Sequence, residues 1–229
     1  MINYRYRFKF EKGSEKIFEV SLDEENLSIQ NTIPAPLPEW ARLNVSKCEN
    51  CPLSQDSVPF CPTAASIVGL THSFSEVMSI ELAEVTVESS ARNYYKKVPA
   101  QQGLFSLLGI YMATSGCPMT QKLRPMVRHH LPFSSSQETI YRVLTMYLAA
   151  QYYRMRKGLT PDWELHNLIR FYEDMQKVNV GFSNRLRQAV KQESLTNAVV
   201  MLDTLASLFH HFSKKSVDSL ENLFKAYLK

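Results

Sequence analysis

The sequence predicts an α+β fold, with a small antiparallel sheet in the N-terminal half and a helical bundle in the C-terminal half. Three observations carry this reading. The stretch YRYRFKF alternates strictly, with Tyr4, Tyr6, Phe8 and Phe10 on one side and Arg5, Arg7 and Lys9 on the other. That period of two marks a strand with one buried face. From Ser135 onward the apolar residues instead recur at the 3.6 spacing of helices. Only 7 glycines stand against 11 tyrosines and 12 phenylalanines in 229 residues, which favours packed elements over linker.

After the first strand, EKGSEK supplies a glycine turn, and IFEVSL and NLSIQ read as further strands of a meander. The proline-rich TIPAPLPEWARL is an extended connector. PTAASIVGLTHSF fits a helix, with Pro62 at its first position and Ala64, Ile67, Val68 and Phe74 on one face. MSIELAEVTVES returns to strand character, and QQGLFSLLGIYMATSG is an apolar helix stopped at Gly116. Its buried side is expected at Leu104, Leu107, Leu108, Tyr111 and Met112. Ser135 and Glu138 have the spacing of a capping box, opening a stripe of Ile140, Val143, Leu144, Tyr147, Leu148, Tyr152 and Met155. Thr160 and Pro161 start a helix bearing Leu165, Leu168, Ile169 and Tyr172. Two more stripes follow, Leu195, Ala198, Val199, Leu202, Leu205 and Phe209, then Leu220, Leu223, Phe224 and Tyr227. The expected organisation is a strand-rich, cysteine-containing region at 1–134, with two or three helices, and a helical bundle at 135–229 packed on it as one unit.

Composition narrows the function classes. Hydrophobic residues at 45% and charged residues at 21% are ordinary for a globular protein. The net charge of +4 is mild, and its excess is spread beyond residue 60, so no dense basic stripe for nucleic acid is present. The charged start MINYRYRFKFEKGSEK lacks the apolar core of a signal peptide, and no run of about 18 apolar residues occurs. The expectation is a cytoplasmic protein with reduced thiols and no membrane span. A partner, if any, is expected to be a protein docking on the helical half.

The four cysteines, Cys48, Cys51, Cys61 and Cys117, have the spacing Cys-x2-Cys-x9-Cys-x55-Cys. A two-residue gap lets two thiolates turn onto one ion, as in zinc and iron–sulfur sites. Three of the four precede proline, although proline occupies only 11 positions in the chain. A Cys-Pro pair places cysteine at the cap of a helical turn, where the following amides point back at the sulfur and favour thiolate. Buried core thiols and a Cys48–Cys51 redox couple are the competing readings. The first sits poorly with clustering in proline-rich turns, and the second lacks βαβ surroundings. Metal ligation by all four therefore leads, with an iron–sulfur cluster slightly ahead of Zn. The group of three with one remote cysteine follows a layout found among cluster proteins, and only one Cys-x2-Cys unit exists.

CENCPL is similar to the opening of the iron–sulfur uracil-DNA glycosylases, but their Gly-Glu-Ala-Pro-Gly stretch is absent, so no activity carries over. KCENCPL, FCPTAA, GLFSLLGIYMATSGCPM and LRPMVRHHLPF together resemble a bacterial family of the "domain of unknown function" kind. That resemblance implies a bacterial cytoplasmic protein and adds no mechanism.

A second constellation, Arg124, Arg128, His129 and His130, lies within thirteen residues of Cys117. It could hold a phosphate or carboxylate, hydrogen-bond to cysteine sulfurs, or simply be solvated. Three functional readings follow. The first is a metal- or iron–sulfur-binding protein with a structural or redox-sensing centre. The second is an enzyme using Cys117 as a nucleophile on a small anionic substrate. The third is an interaction protein without metal.

Overall fold

Strands β1 (Ile2–Phe10) and β2 (Glu15–Leu22) form a hairpin closed at Gly13, whose φ of +86° suits glycine. With β3 (Leu82–Ser89) and β4 (Asn93–Pro99) they make one antiparallel sheet in the order β2-β1-β3-β4. The computed structural model describes residues 1–189, 196–197, 199 and 220–228. The alternation of β1 is realised as read. Tyr4, Tyr6, Phe8 and Phe10 are buried beside Ala83, Val85 and Val87 of β3. On the other face Arg5 reaches Glu19 and Glu88, and Arg7 reaches Glu15. Such exposed pairs contribute at most about 1 kcal/mol each, so the buried face decides the register.

Two strand assignments change. The NLSIQ stretch is no strand: it holds one isolated bridge, Leu22 to Ile29, after a turn in which Asp23 Oδ1 accepts from the amides of Glu25 and Asn26. The polar caps around it favour that turn over a ladder. Conversely NYYKKVP, which lacks alternation, is β4. It is an edge strand with only Val98 fully buried, and Lys96 and Lys97 blunt its open edge.

The first helix breaks at Ile67 into α1 (Pro62–Ser66) and α2 (Val68–Ser73). Helix α3 (Ala100–Thr114) lies on the inner sheet face, with Leu104, Leu107, Leu108 and Ile110 inaccessible. The approach is close at Gly103, where a Cβ would collide with the Phe8 ring and stand 3.1 Å from Val85 Cγ2. Gly103→Ala should therefore cost roughly 1–3 kcal/mol despite its better helix propensity. Urea denaturation checks this, and unchanged stability would contradict the packing.

Helices α4 (Arg124–Arg128) and α5 (Ser136–Arg156) follow. The capping box is present: Ser135 Oγ accepts from the Glu138 amide at 3.2 Å, and Glu138 accepts from the Ser135 amide at 2.8 Å. Tyr152 and Met155, expected in the α5 stripe, are exposed beyond the edge of the core. Helix α6 (His166–Ala189) begins later than Thr160 and Pro161 suggest. The Asp162 carboxylate accepts from the amides of His166 and Asn167, so it closes the first turn instead.

Of the later stripes, Val199 is buried, and Leu195, Ala198, Leu202, Leu205 and Phe209 lie outside the described residues. Residues Asn222–Tyr227 form a 3₁₀ helix, and Leu223, Phe224 and Tyr227 are exposed rather than buried. The tighter 3₁₀ turn breaks the 3.6 spacing on which their stripe depended. One hydrophobic cluster spans the inner sheet face, α3, Val143 and Leu144 of α5, and Leu168 to Leu186 of α6. Among the described residues no helix is long and apolar enough to cross a membrane.

Candidate functional site

The start of the cysteine segment, residues 46–50, is laid along α6. Asn50 Nδ2 donates to the backbone and side-chain oxygens of Asp174, at 3.0 and 3.1 Å. Lys177 Nζ meets Glu49 at 3.1 Å, and Gln188 Nε2 donates to Ser46 Oγ at 2.9 Å. Between these ties Cys48 Sγ faces the Val178 carbonyl at 3.7 Å. The pairing runs antiparallel, so Cys48 falls over the middle of the helix. The helix makes room with Gly181: a Cβ there would lie 2.9 Å from both Cα and Sγ of Cys48.

Cys51 closes a turn on Cys48, its amide donating to the Cys48 carbonyl at 3.1 Å. Cys61 caps α1, with Pro62 in the first turn as the sequence suggested. Its amide donates to the Ala41 carbonyl at 2.9 Å, tying the cap to the 3₁₀ turn Glu39–Ala41. Cys117 follows Gly116, whose φ of +92° reverses the chain after α3. The Cys61 and Cys117 segments are joined by Thr63 Oγ1 and Ser115 Oγ, 2.9 Å apart. All four cysteines are free thiols and part-buried.

The electrostatics places these thiols in one neighbourhood. Burial first, and then Cys61, Cys117 and Cys51 in that order, push the Cys48 thiol up to about 12. Burial likewise raises Cys61, opposed by the Ala64 amide, Arg185 and the Thr63 amide. Those amides face the sulfur as the Cys-Pro argument requires, although neither completes a capping hydrogen bond. Ionising any of the other three thiols would thus further disfavour ionisation of Cys48. Among the described residues, however, no three His, Cys, Asp or Glu side chains stand at separations that would hold a metal ion.

Arg185 is the group that sequence reasoning missed. It lies on α6 and is only 2% exposed. Its guanidinium donates to three carbonyls: Nη1 to Trp40 at 2.8 Å and to Arg42, and Nη2 to Leu43 at 3.3 Å. No carboxylate pairs with it among the described residues; its charge acts instead on Cys48 and Cys61, lowering both. The readable signal was a charged residue inside an apolar stripe, with Val178, Phe182 and Arg185 at helical spacing.

The second constellation is committed elsewhere. Arg124 donates from Nε to the Ala113 carbonyl at 3.3 Å and from Nη1 to the Asn26 carbonyl at 3.2 Å. Arg128 donates to the Glu24 carbonyl at 3.2 Å and approaches its carboxylate at 3.6 Å. Both therefore fasten α4 to the turn after β2. The His129 side chain is exposed at the end of α4. His130 turns inward against the Tyr6 hydroxyl, with the Tyr4 ring edge-on at 5.3 Å. Burial, reinforced by Arg142, lowers its pKa to about 3, so the imidazole is neutral.

Gly181→Ala tests the lining of the cysteine site. The gain of up to about 1 kcal/mol in helix propensity should be outweighed by displacement of Cys48, for a net loss of roughly 1–2 kcal/mol. The displaced thiol should also react faster with a thiol reagent in metal-free protein. Stabilisation with unchanged reactivity would show that Cys48 does not depend on this gap.

With the geometry in place, the comparisons add one relationship. The chain belongs to the family described as "Domain of unknown function (DUF6901)", whose model matches residues 3–225. No curated protein and no solved structure matches it.

Proposed function

We propose that Cys48, Cys51, Cys61 and Cys117 hold one metal centre, an iron–sulfur cluster or a zinc ion, in a structural or redox-sensing role. The observation that carries this reading is Arg185, a buried cation held by three backbone carbonyls with no carboxylate among the described residues, whose charge favours the thiolate form of Cys48 and Cys61. Buried charges are retained when something of opposite sign meets them. Neutral thiols provide no such partner, whereas four thiolates around a divalent ion leave a net charge of about −2. Turning χ1 by 120° swings a sulfur by about 3 Å, so side-chain rotation alone can change the separations between the thiols on that scale. Because Cys48 holds its proton so firmly, loading should release protons and strengthen as pH rises.

The chemistry expected at such a centre is limited. With four protein ligands, no coordination position remains for substrate, which favours a structural or electron-accepting role over hydrolysis. The reading of Cys117 as a nucleophile toward a small anion would need free cations nearby, and Arg124 and Arg128 are engaged with carbonyls and Glu24.

Anaerobic purification with metal analysis and a visible absorption spectrum tests the proposal. Stoichiometric iron with a charge-transfer band assigns a cluster, and stoichiometric colourless zinc assigns the ion. Cys117→Ser should lose metal and thermal stability together, because binding energy at such a site is folding energy. Metal-free protein with unaltered stability in the presence of chelator would overturn it.

A further inference from the structure

A cavity of about 140 Å³ lies between α3, α4, α5 and α6, on a side of α6 different from the cysteine segment. Most of its wall is apolar, including Phe105, Ile110, Met126 and Met175. A cavity of about this size, roughly 150 Å³, is known to stay dry and admit benzene when its lining is apolar. This one departs from that case at Asn179. The residue is 5% exposed, lines the cavity, and its side chain makes no hydrogen bond among the described residues. A carboxamide offers two donors and an acceptor oxygen, and here these are left to whatever enters the cavity.

The other polar groups on the wall are occupied. Ser106 Oγ accepts from the Phe133 amide at 3.1 Å, and Thr139 Oγ1 donates to the Ser135 carbonyl at 2.9 Å. Arg142 Nη2 donates to the carbonyls of Met126 and His129, at 2.8 and 2.9 Å. Asn179 is thus the polar side chain left with unmet capacity. We infer that this cavity binds a small neutral ring-bearing molecule carrying one hydroxyl or amide group, the ring among the apolar side chains and the polar group on the Asn179 carboxamide. The pairing suits a group that both donates and accepts, because the carboxamide does both.

Gly109 supplies the control. It lines the cavity, and a Cβ built on it meets nothing within 4 Å. Gly109→Leu should fill the space while improving helix propensity, so the chain should stay folded. Benzyl alcohol is titrated into the full chain by ligand-observed NMR, with benzene and benzoate in parallel. The expected result is saturable binding of benzyl alcohol, about 3- to 10-fold tighter than benzene, the range of one hydrogen bond. Asn179→Leu should erase that preference and keep ring binding, and Gly109→Leu should abolish both. Absence of saturable binding, or wild-type affinity in Gly109→Leu, overturns the site. Benzoate binding more tightly than benzyl alcohol would assign recognition to Arg142 and overturn the neutral-ligand assignment.

Discussion

Replacing Arg185 with methionine should lower stability by roughly 3–5 kcal/mol, because one buried and two part-buried carbonyls lose a charged donor at once. The carbonyls of Trp40, Arg42 and Leu43 belong to the segment that carries the cysteine loop to α6, so the loop loses its anchor as well. For a chain of this length the melting temperature should fall by roughly 6–20 °C. Arg185→Lys should recover part of the loss, since an ammonium can satisfy some of the carbonyls but lacks the planar fork. The informative comparison is between metal-loaded and metal-stripped protein. If thiolates at a bound metal are the partner of this cation, the substitution costs more in the loaded form, by the value of the charge pairing. Equal losses in both forms would confine Arg185 to anchoring the loop and remove the main support for the metal centre.

Acidification should destabilise the protein through His130, by roughly 2–4 kcal/mol between pH 6.5 and 3. An unfolded chain binds a proton at this imidazole near 6.5, whereas the folded one resists until about 3. Between those values the unfolded state holds more protons, so stability rises with pH across the window. The contribution is complete above about 6.5 and is lost as pH falls toward 3. Among the described residues the groups facing the ring are Tyr4 and Tyr6 from β1 and Arg142 from α5, and none of these is an acid that could accommodate an imidazolium. In His130→Gln the acid limb should flatten by this amount, while stability at pH 7 falls through loss of the Tyr6 contact. Urea denaturation at a series of pH values measures the difference between the two proteins. Parallel acid limbs would show that His130 protonates without cost.

Much of this architecture was legible because the buried and exposed faces were written in different residue types. In β1 every second residue is aromatic, and all four aromatics are buried. The capping box of α5 needed only Ser135 and Glu138 at the right spacing. Legibility failed where neighbours in space, not in sequence, decide the outcome. Strand β4 owes its existence to pairing with β3, and its sequence alone shows no alternation. The proline that seemed to open α6 is followed by an aspartate that caps it five residues later. At the site, the Cys-Pro pattern located the thiols and the cap at Cys61, but it was blind to α6. Gly181 and Arg185 act on Cys48 from more than 130 positions away, and no local pattern connects them.

That separation has a consequence in time. Cys48 and its carbonyl partner Val178 stand 130 residues apart. A ribosome adding about 5–20 residues per second needs roughly 7–26 s to cover that distance. Through that interval the Cys48–Cys51 turn exists without the helix that will cover it, and without the cation that will face it. Whatever reaches the nascent thiols first, whether metal, oxidant or chaperone, does so before Arg185 has been synthesised. If the four cysteines hold a metal, its first two ligands are therefore open to it before α6 is there to cover them.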